Sequence, residues 1–269
     1  MRYCEQFRAE PGKKVDLSDH DPGYRRDFDG RKDAKSALKK NVERLRELQY
    51  LLYAEDRRAL LIVLQAMDAG GKDGTIRRVM GPINPQGCRV TSFKAPSDEE
   101  LAHDYLWRIH KATPRRGYIG IFNRSHYEDV LVVRVHNLVP EDVWRQRYEQ
   151  INHFEKLLAD TGTTILKFFL YISKEEQKER FEARLSDPRK NWKFSMGDVE
   201  ERGRWDDYVS AFEDALSRCS TPWAPWYVVP ANRKWYRNLV VSEVIIDTLE
   251  KLDMRYPPPL ADADKIVIP

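Results

Sequence analysis

The run Ala59-Leu-Leu-Ile-Val-Leu64-Gln65-Ala66-Met67-Asp68-Ala69-Gly70-Gly71-Lys72-Asp73-Gly74-Thr75 decides the reading of this chain. From Ala59 to Leu64 it is uniformly apolar, long enough for a buried strand and short for a helix. It then opens into Gly70, Gly71 and Gly74 with Lys72 among them, and a helical pattern follows. A glycine-rich loop between a strand and a helix is where backbone N–H groups wrap phosphate oxygens. The glycines permit a tight backbone and close approach. Ala69, Gly70, Gly71, Asp73, Gly74 and Thr75 are therefore expected around a phosphate, and Lys72 is expected to reach the group that moves. The loop departs from the common G-x-x-x-x-G-K-[ST] form. Ala66 replaces the first glycine, Asp73 replaces the magnesium-binding hydroxyl, and Thr75 lies two places further on.

Asp68 sits inside this loop. A carboxylate among phosphate oxygens is repelled unless a cation bridges them. Asp68 is then a metal ligand, a base that takes a proton from an incoming phosphate, or a hydrogen-bond acceptor for loop amides.

Working outward, apolar positions Leu38, Val42, Leu45, Leu48 and Leu52 recur at three- and four-residue steps and predict an amphipathic helix over 33–54. Short apolar runs at 90–93, 118–122, 164–172 and 226–229 predict further strands. Ser97-x-x-Glu100 and Ser173-x-x-Glu176 match capping boxes. Pro140 suits a helix start and Gly162 its stop. A last helix is expected over 235–252, before the break at Pro257–Pro259. Strands alternating with helices imply an α/β fold with a parallel sheet of about five strands, covered by helices on both faces. Crossovers are right-handed, and the site lies at the carboxyl ends of the strands. Residues 1–30 read as an irregular N-terminal arm, 31–256 as the domain, and 257–269 as a tail.

A second constellation runs Ile119-Gly-Ile-Phe-Asn123-Arg124-Ser125-His126-Tyr127-Glu128-Asp129. In P-loop enzymes an acid at such a strand end holds magnesium; here Asn123 stands there. Glu128 and Asp129 follow within about one helical turn and are candidate carboxylate donors. Arg124 suits bidentate phosphate binding, and Arg134 lies further along. The competing view is a capped helix start with solvated acids. His126 reads as a packing or hydrogen-bonding residue rather than a catalyst.

The third feature is Gln177 to Phe194. Arg180 and Arg184 share a helix face, Pro188 ends the helix, and Arg189, Lys190 and Lys193 follow with Trp192 and Phe194. A mobile basic loop is what a kinase lid requires, because it must neutralise charge only when closed. A solvated basic helix end is the alternative. No RNA or DNA fold signature accompanies these cations, so nucleic acid is not an expected partner.

A hydrophobic fraction of 41% is too high for a disordered chain. The net charge of +3 names no partner by itself, although basic pairs such as Arg57-Arg58, Arg77-Arg78 and Arg115-Arg116 suit a polyanion. Three cysteines without CxxC spacing argue against a disulfide framework or a zinc site and fit a reducing cytoplasm. No apolar run approaches the ~20 residues of a membrane helix, and the first residues have no apolar core of a signal peptide.

Together, the run Ala66–Thr75, the Asn123–Tyr127 segment and the Asp187-Pro188 to Phe194 loop resemble the three signature regions of the polyphosphate kinase 2 family, over roughly 33–256. The resemblance implies a P-loop kinase fold related to thymidylate kinase, with a helical lid at about 180–200 in this numbering. It implies magnesium, or manganese in its place, a polyphosphate co-substrate, adenine or guanine nucleotides, and a homo-oligomer, dimer or tetramer. The family's Walker A acid and lysine fall on Asp68 and Lys72. Its Walker B acid falls on Asn123, with Arg124 beside it, and its lid arginine falls on Arg184. Lys72, Arg77, Arg78, Arg124 and Arg134 are expected along the polyphosphate path, with Lys190 and Lys193 from the lid. Asn123 departs from the Asp usual in much of the family, so Glu128 is expected to take over part of the metal ligation beside Asp68 and Asn123, with Asp129 as the alternative. The segment 124–129 is similar to the subgroup that accepts both nucleoside mono- and diphosphates.

The implied reaction moves the terminal phosphoryl of polyphosphate to AMP or ADP, reversibly. An ATP-dependent nucleoside or nucleotide kinase shares the loop, fold and lid. A regulatory GTPase is disfavoured, because Asn232-Arg-Lys-Trp235 lacks the acid of a guanine-binding NKxD motif. An ATP-binding scaffold without turnover is disfavoured by the presence of Lys72 and Asp68.

Overall fold

The computed structural model describes residues 3–26 and 31–260. Five strands form one sheet: β1 (Ala59–Gln65), β2 (Cys88–Ser92), β3 (Ile119–Asn123), β4 (Thr163–Tyr171) and β5 (Trp226–Pro230). Their order is β2-β3-β1-β4-β5, and every neighbouring pair is parallel. β1 is central and buried along its whole length, as its unbroken apolar run requires when helices cover both faces. β2 is an edge strand and tolerates the exposed Arg89 and Val90. The chain steps from β1 to one side of the sheet for β2 and β3, then crosses to the other side for β4 and β5. The switch in direction therefore falls beside β1, and a crevice opens at its carboxyl end.

The helices are α1 (Tyr3–Gln6), α2 (Arg31–Glu55), α3 (Lys72–Thr75), α4 (Asp98–Leu101), α5 (Trp107–Ala112), α6 (Val132–Val135), α7 (Glu141–Asp160), α8 (Lys174–Leu185), α9 (Met196–Gly203), α10 (Trp205–Cys219) and α11 (Lys234–Lys251). α2 packs along α11, while α7 packs on β4 and against α10. The two groups flank the sheet. Among the described residues, no helix is long and apolar enough to cross a membrane.

Local signals set the helix ends. At α4, Ser97 Oγ accepts from the Glu100 amide at 3.3 Å and the Glu100 carboxylate accepts from the Ser97 amide at 2.8 Å, the full capping box. At α8 only half of it forms. Ser173 Oγ accepts from the Glu176 amide at 3.1 Å, but the Glu176 carboxylate binds Arg180 Nε at 2.7 Å instead. Pro140 is the N-cap of α7 rather than a residue of its first turn, and Gly162 (φ 98°) follows its C-cap. The helix expected after the glycine loop holds α-geometry only over α3. It widens to a π turn at Ile76–Met80, closed by the Gly81 amide on Ile76 O at 2.9 Å.

The N-terminal arm differs from the irregular segment expected. Residues 1–2 and 27–30 lie outside the described residues, as do 261–269 of the tail. The rest of the arm carries α1 and a 3-10 turn at Leu17–Asp19, and Arg8 bridges Tyr227 antiparallel. The Ala9 amide donates to Trp226 O at 2.9 Å and the Val228 amide to Phe7 O at 2.8 Å. An edge strand leaves unpaired backbone groups, and this arm satisfies those of β5. Tyr3, Phe7 and Leu17 are buried in the same core.

Between β3, α7 and β4 lies a fully buried ionic knot. Lys167 Nζ donates to Glu155 Oε2 at 2.5 Å, to the Tyr127 hydroxyl at 2.8 Å and to Cys219 O at 2.7 Å. His126 Nε2 lies 3.1 Å from Glu155 Oε1. Burial favours the neutral carboxyl of Glu155, but Lys167 and His126 reverse this and hold its pKa below the usual range. The knot anchors the turn that follows β3.

Candidate active site

The glycine loop leaves β1 and enters α3 at the crevice. Ala69 (φ 59°) and Gly71 (φ 104°) both take left-handed backbone there. A Cβ on Gly70 would stand 2.4 Å from Ala66 Cβ, and one on Gly71 would stand 1.8 Å from Arg237 Nη1. Gly70 is thus required by contact, with Met67 O also only 2.8 Å from such a Cβ, and Gly71 by its left-handed conformation. Lys72 opens α3 and donates to Ala66 O at 3.1 Å. Burial, then the charge of Arg124, pushes its ammonium down to about 8.

Arg124, at φ 63°, is the hub of the carboxylates. Its Nη2 donates to Asp68 Oδ1 at 2.7 Å and its Nη1 to Glu128 Oε2 at 3.0 Å. Glu128 first, against the cost of burial, raises the Arg124 pKa further. Gln65 Nε2 completes the set on Glu128 Oε1 at 3.0 Å. The Asp68 carboxylate thus pairs with Arg124, a partner the sequence alone did not suggest. On the neighbouring side Asn123 Nδ2 donates to Asp73 Oδ1 at 2.8 Å.

Asp68, Lys72, Asp73, Asn123 and Arg124 face one cleft of about 830 Å³. Asp68, Ala69, Gly70, Gly71, Lys72, Asp73 and Gly74 line it from the loop, and Asn123 and Arg124 from the end of β3. Arg184, Lys190 and Lys193 line it from the segment expected as the lid. That segment comprises the end of α8, a 3-10 turn at Asn191–Lys193 and α9. Arg184 Nη1 lies 3.7 Å from Asp198 and 3.4 Å from Lys193 O. Lys190 is held by Asp187 at 2.5 Å.

Other expected residues are placed elsewhere. Thr75 is buried beneath the loop, its hydroxyl donating to Gly71 O at 3.2 Å. Arg77 and Arg78 are exposed on the π turn and do not line the cleft. Arg134 donates to Asp214 at 2.6 Å and to the Tyr148 hydroxyl at 3.3 Å, and lies 4.7 Å from the Trp144 ring centre. It too is absent from the cleft, because an acid distant in sequence takes its charge. Glu128 lines a second cavity of about 30 Å³ with Met67 and Trp205, which adjoins the cleft at Asp68 and Arg124, and its two oxygens are engaged by Gln65 and Arg124. Asp129 pairs with Arg147 at 2.9 Å, and burial raises its carboxyl to about 6. Neither Glu128 nor Asp129 reaches the cleft in this arrangement.

Glu176, Glu179 and Asp198 line the cleft from α8 and α9, and the donors beside the glycine loop and the end of β3 are Asp68, Asp73 and Asn123. Among the described residues, no three His, Cys, Asp or Glu side chains converge as a metal cage. This set fits magnesium, which keeps waters and binds through one or two carboxylates together with substrate phosphates.

Four basic residues of the cleft carry roles the sequence reading did not assign. Lys94 follows the carboxyl end of β2, and Lys234 and Arg237 share a face of α11 at i, i+3. Arg180, read as a lid residue, is 9% exposed and clamps the loop. Its Nη1 donates to Ala69 O at 2.9 Å and Gly70 O at 3.1 Å, and its Nη2 to Ala231 O at 2.5 Å. The i, i+3 spacing and the strand-end position were legible signals; the clamp was not.

Residues 28–257 match the family model for polyphosphate kinase 2. The chain is 56% identical over 265 residues to an AMP/ADP-polyphosphate phosphotransferase of Meiothermus ruber, covering 98% of this chain and 99% of that protein. It is 49% identical to an ADP-polyphosphate phosphotransferase of Rhodopseudomonas palustris, covering 94% and 92%. The crystal structure of polyphosphate kinase 2 from Arthrobacter aurescens TC1 superposes with a TM-score of 0.95 at 44% identity, covering 98% of this chain and 95% of that one. The parallel sheet, the glycine loop at its switch point and these likenesses over nearly the whole length agree: the chain belongs to the polyphosphate kinase 2 family.

Proposed function

We propose that this chain transfers the terminal phosphoryl group of inorganic polyphosphate to AMP or ADP, reversibly. The observation that carries this is the cleft itself, where loop amides meet Lys72, Arg124, Arg184, Lys190 and Lys193 around a space of about 830 Å³. The names of the Meiothermus ruber and Rhodopseudomonas palustris relatives support the substrate class.

A phosphate oxygen of the nucleotide attacks the terminal phosphorus of the chain. The bridging P–O bond breaks, and the shortened polyphosphate leaves with the electron pair. Such transfer needs positioning and charge neutralisation more than covalent chemistry. Lys72 and Arg124 offset charge on the moving group, and Asp68 holds the Arg124 fork at 2.7 Å. Arg184 and Lys193 bring further positive charge from the lid when it closes. Asp68, Asp73 and Asn123 would hold magnesium, or manganese in its place, which when bound neutralises phosphate charge.

The reading includes a homo-oligomer, to which the exposed pair Tyr50 and Tyr256, ring centres 6.3 Å apart, offers apolar surface. It also includes a cytoplasmic setting, which the free thiols Cys4, Cys88 and Cys219 suit.

The test is incubation with long-chain polyphosphate, magnesium and AMP, ADP, GMP or GDP, followed by product analysis. ADP and ATP should appear only when polyphosphate is present. Product formation that needs ATP and ignores polyphosphate would assign the chain to ATP-dependent nucleotide kinases instead.

A further inference from the structure

Arg237 is 2% exposed, yet it lines the cleft. Its Nε and Nη2 share Asn238 Oδ1 at 3.1 and 2.9 Å, and its Nη1 lies 3.3 Å from Gly70 O. Among the described residues, no carboxylate pairs with it. Arg180, buried beside it, has Glu176 at 2.7 Å. A buried guanidinium without a counter-charge is costly to the fold.

Nothing stands between this charge and the loop. The guanidinium fills the place where a Cβ of Gly71 would be, and a Cβ on Gly74 would meet Nη2 at 3.2 Å. Lys234 lines the cleft from the preceding turn of α11. Burial and the nearby Arg180 charge bring Arg237 down to about 9, so it remains a cation at neutral pH. An anion in the glycine loop is the counter-charge that this arrangement lacks.

We propose that Arg237 is a phosphate-recognition residue, whose buried charge is balanced only when a phosphoryl group of the polyanion occupies the glycine loop. The proposal rests on the phosphotransferase reading above. It assigns to α11 a share of polyphosphate affinity that the loop and lid motifs do not account for. The guanidinium acts by charge at the loop, and its bonds to Asn238 only orient it.

Arg237→Gln and Arg237→Lys of the full chain separate charge from hydrogen bonding. The probes are inorganic tripolyphosphate in thermal unfolding and long-chain polyphosphate with ADP in steady-state turnover. Tripolyphosphate should raise the wild-type melting temperature. Arg237→Gln should lose most of that shift, and its KM for polyphosphate should rise about tenfold with a smaller change in kcat. Arg237→Lys should keep most of the shift and a KM within about twofold of wild type. A Gln variant that matches wild type in both readouts overturns the proposal. So does an equal fall in both variants, which would mean that the lost hydrogen bonds matter and the charge does not. If circular dichroism shows the Gln variant unfolded, the Lys variant decides, and a tenfold rise in its KM sinks the idea. A wild-type chain that tripolyphosphate does not stabilise and that makes no product from polyphosphate overturns the phosphotransferase reading and this inference with it.

Discussion

Asn123 donates its side-chain amide to the Asp73 carboxylate at 2.8 Å, across the crevice between β3 and the glycine loop. Each residue is a departure from the common P-loop pattern, an amide where an acid is usual and an acid where a hydroxyl is usual. Together they make one feature, with a single negative charge and a donor to hold it. An acid at both positions would set two carboxylates at contact distance, where one must take up a proton.

Asn123→Asp should therefore lower turnover at neutral pH, and Asp73→Asn in the same chain should restore much of the loss. Because Asp73 is exposed, the change in folding stability should stay at about 1 kcal/mol or less. Rates of the two single variants and the double variant check this. Effects that simply add would show that the two residues act independently.

Lys72→Ala should cut kcat by about a hundredfold or more, the loss seen when one preorganised charge contact is removed from a transition state. Its circular dichroism should match wild type. Because the free chain holds Lys72 at about 8, raising pH through that value strips the proton and the positive charge. kcat/KM should accordingly fall on the alkaline side. A variant with more than about a tenth of the wild-type rate would remove Lys72 from the chemistry.

In the lid, Lys193 and Lys190 should differ. Lys190 is already held by Asp187 at 2.5 Å, whereas Lys193 rests 5.1 Å from the Trp192 ring centre. Lys193→Gln should raise the KM for polyphosphate more than Lys190→Gln. Both effects should shrink as salt rises, since exposed charge contacts are screened. Titrating polyphosphate at low and high ionic strength reads both trends, and an unchanged KM for Lys193→Gln would return this loop to ordinary solvated surface.

The buried pair Glu155–Lys167 should be a stability determinant. Removing one partner leaves an uncompensated buried charge, so Glu155→Gln or Lys167→Met should cost about 3–5 kcal/mol. Replacing both with apolar residues should recover much of that. Denaturant unfolding measures it, and a loss below about 1 kcal/mol in both single variants would show that water reaches the site.

Much of the architecture was legible in the chain because its signals are local. The run Ala59–Leu64 shows a buried central strand, since burial on both faces requires apolar residues without alternation. Gly70 and Gly71 at its end locate the glycine loop, since few residue types permit that backbone. Capping residues such as Ser97 and the stop at Gly162 place helix ends within a few residues.

What tertiary structure alone decided is which charge meets which. Arg134 is expected along the polyphosphate path, yet Asp214, 80 residues away, holds it outside the cleft. Glu128 looked free to bind a metal, but Arg124 and Gln65 occupy its oxygens. Arg180 reads as a lid cation and proves to be a buried clamp on Ala69 and Gly70. Arg237 reaches Gly70 from 167 residues away. Helix and strand preferences act over a few residues and leave their mark on composition and spacing. Electrostatic pairing depends on distances of a few ångströms between atoms that only the folded sheet brings together.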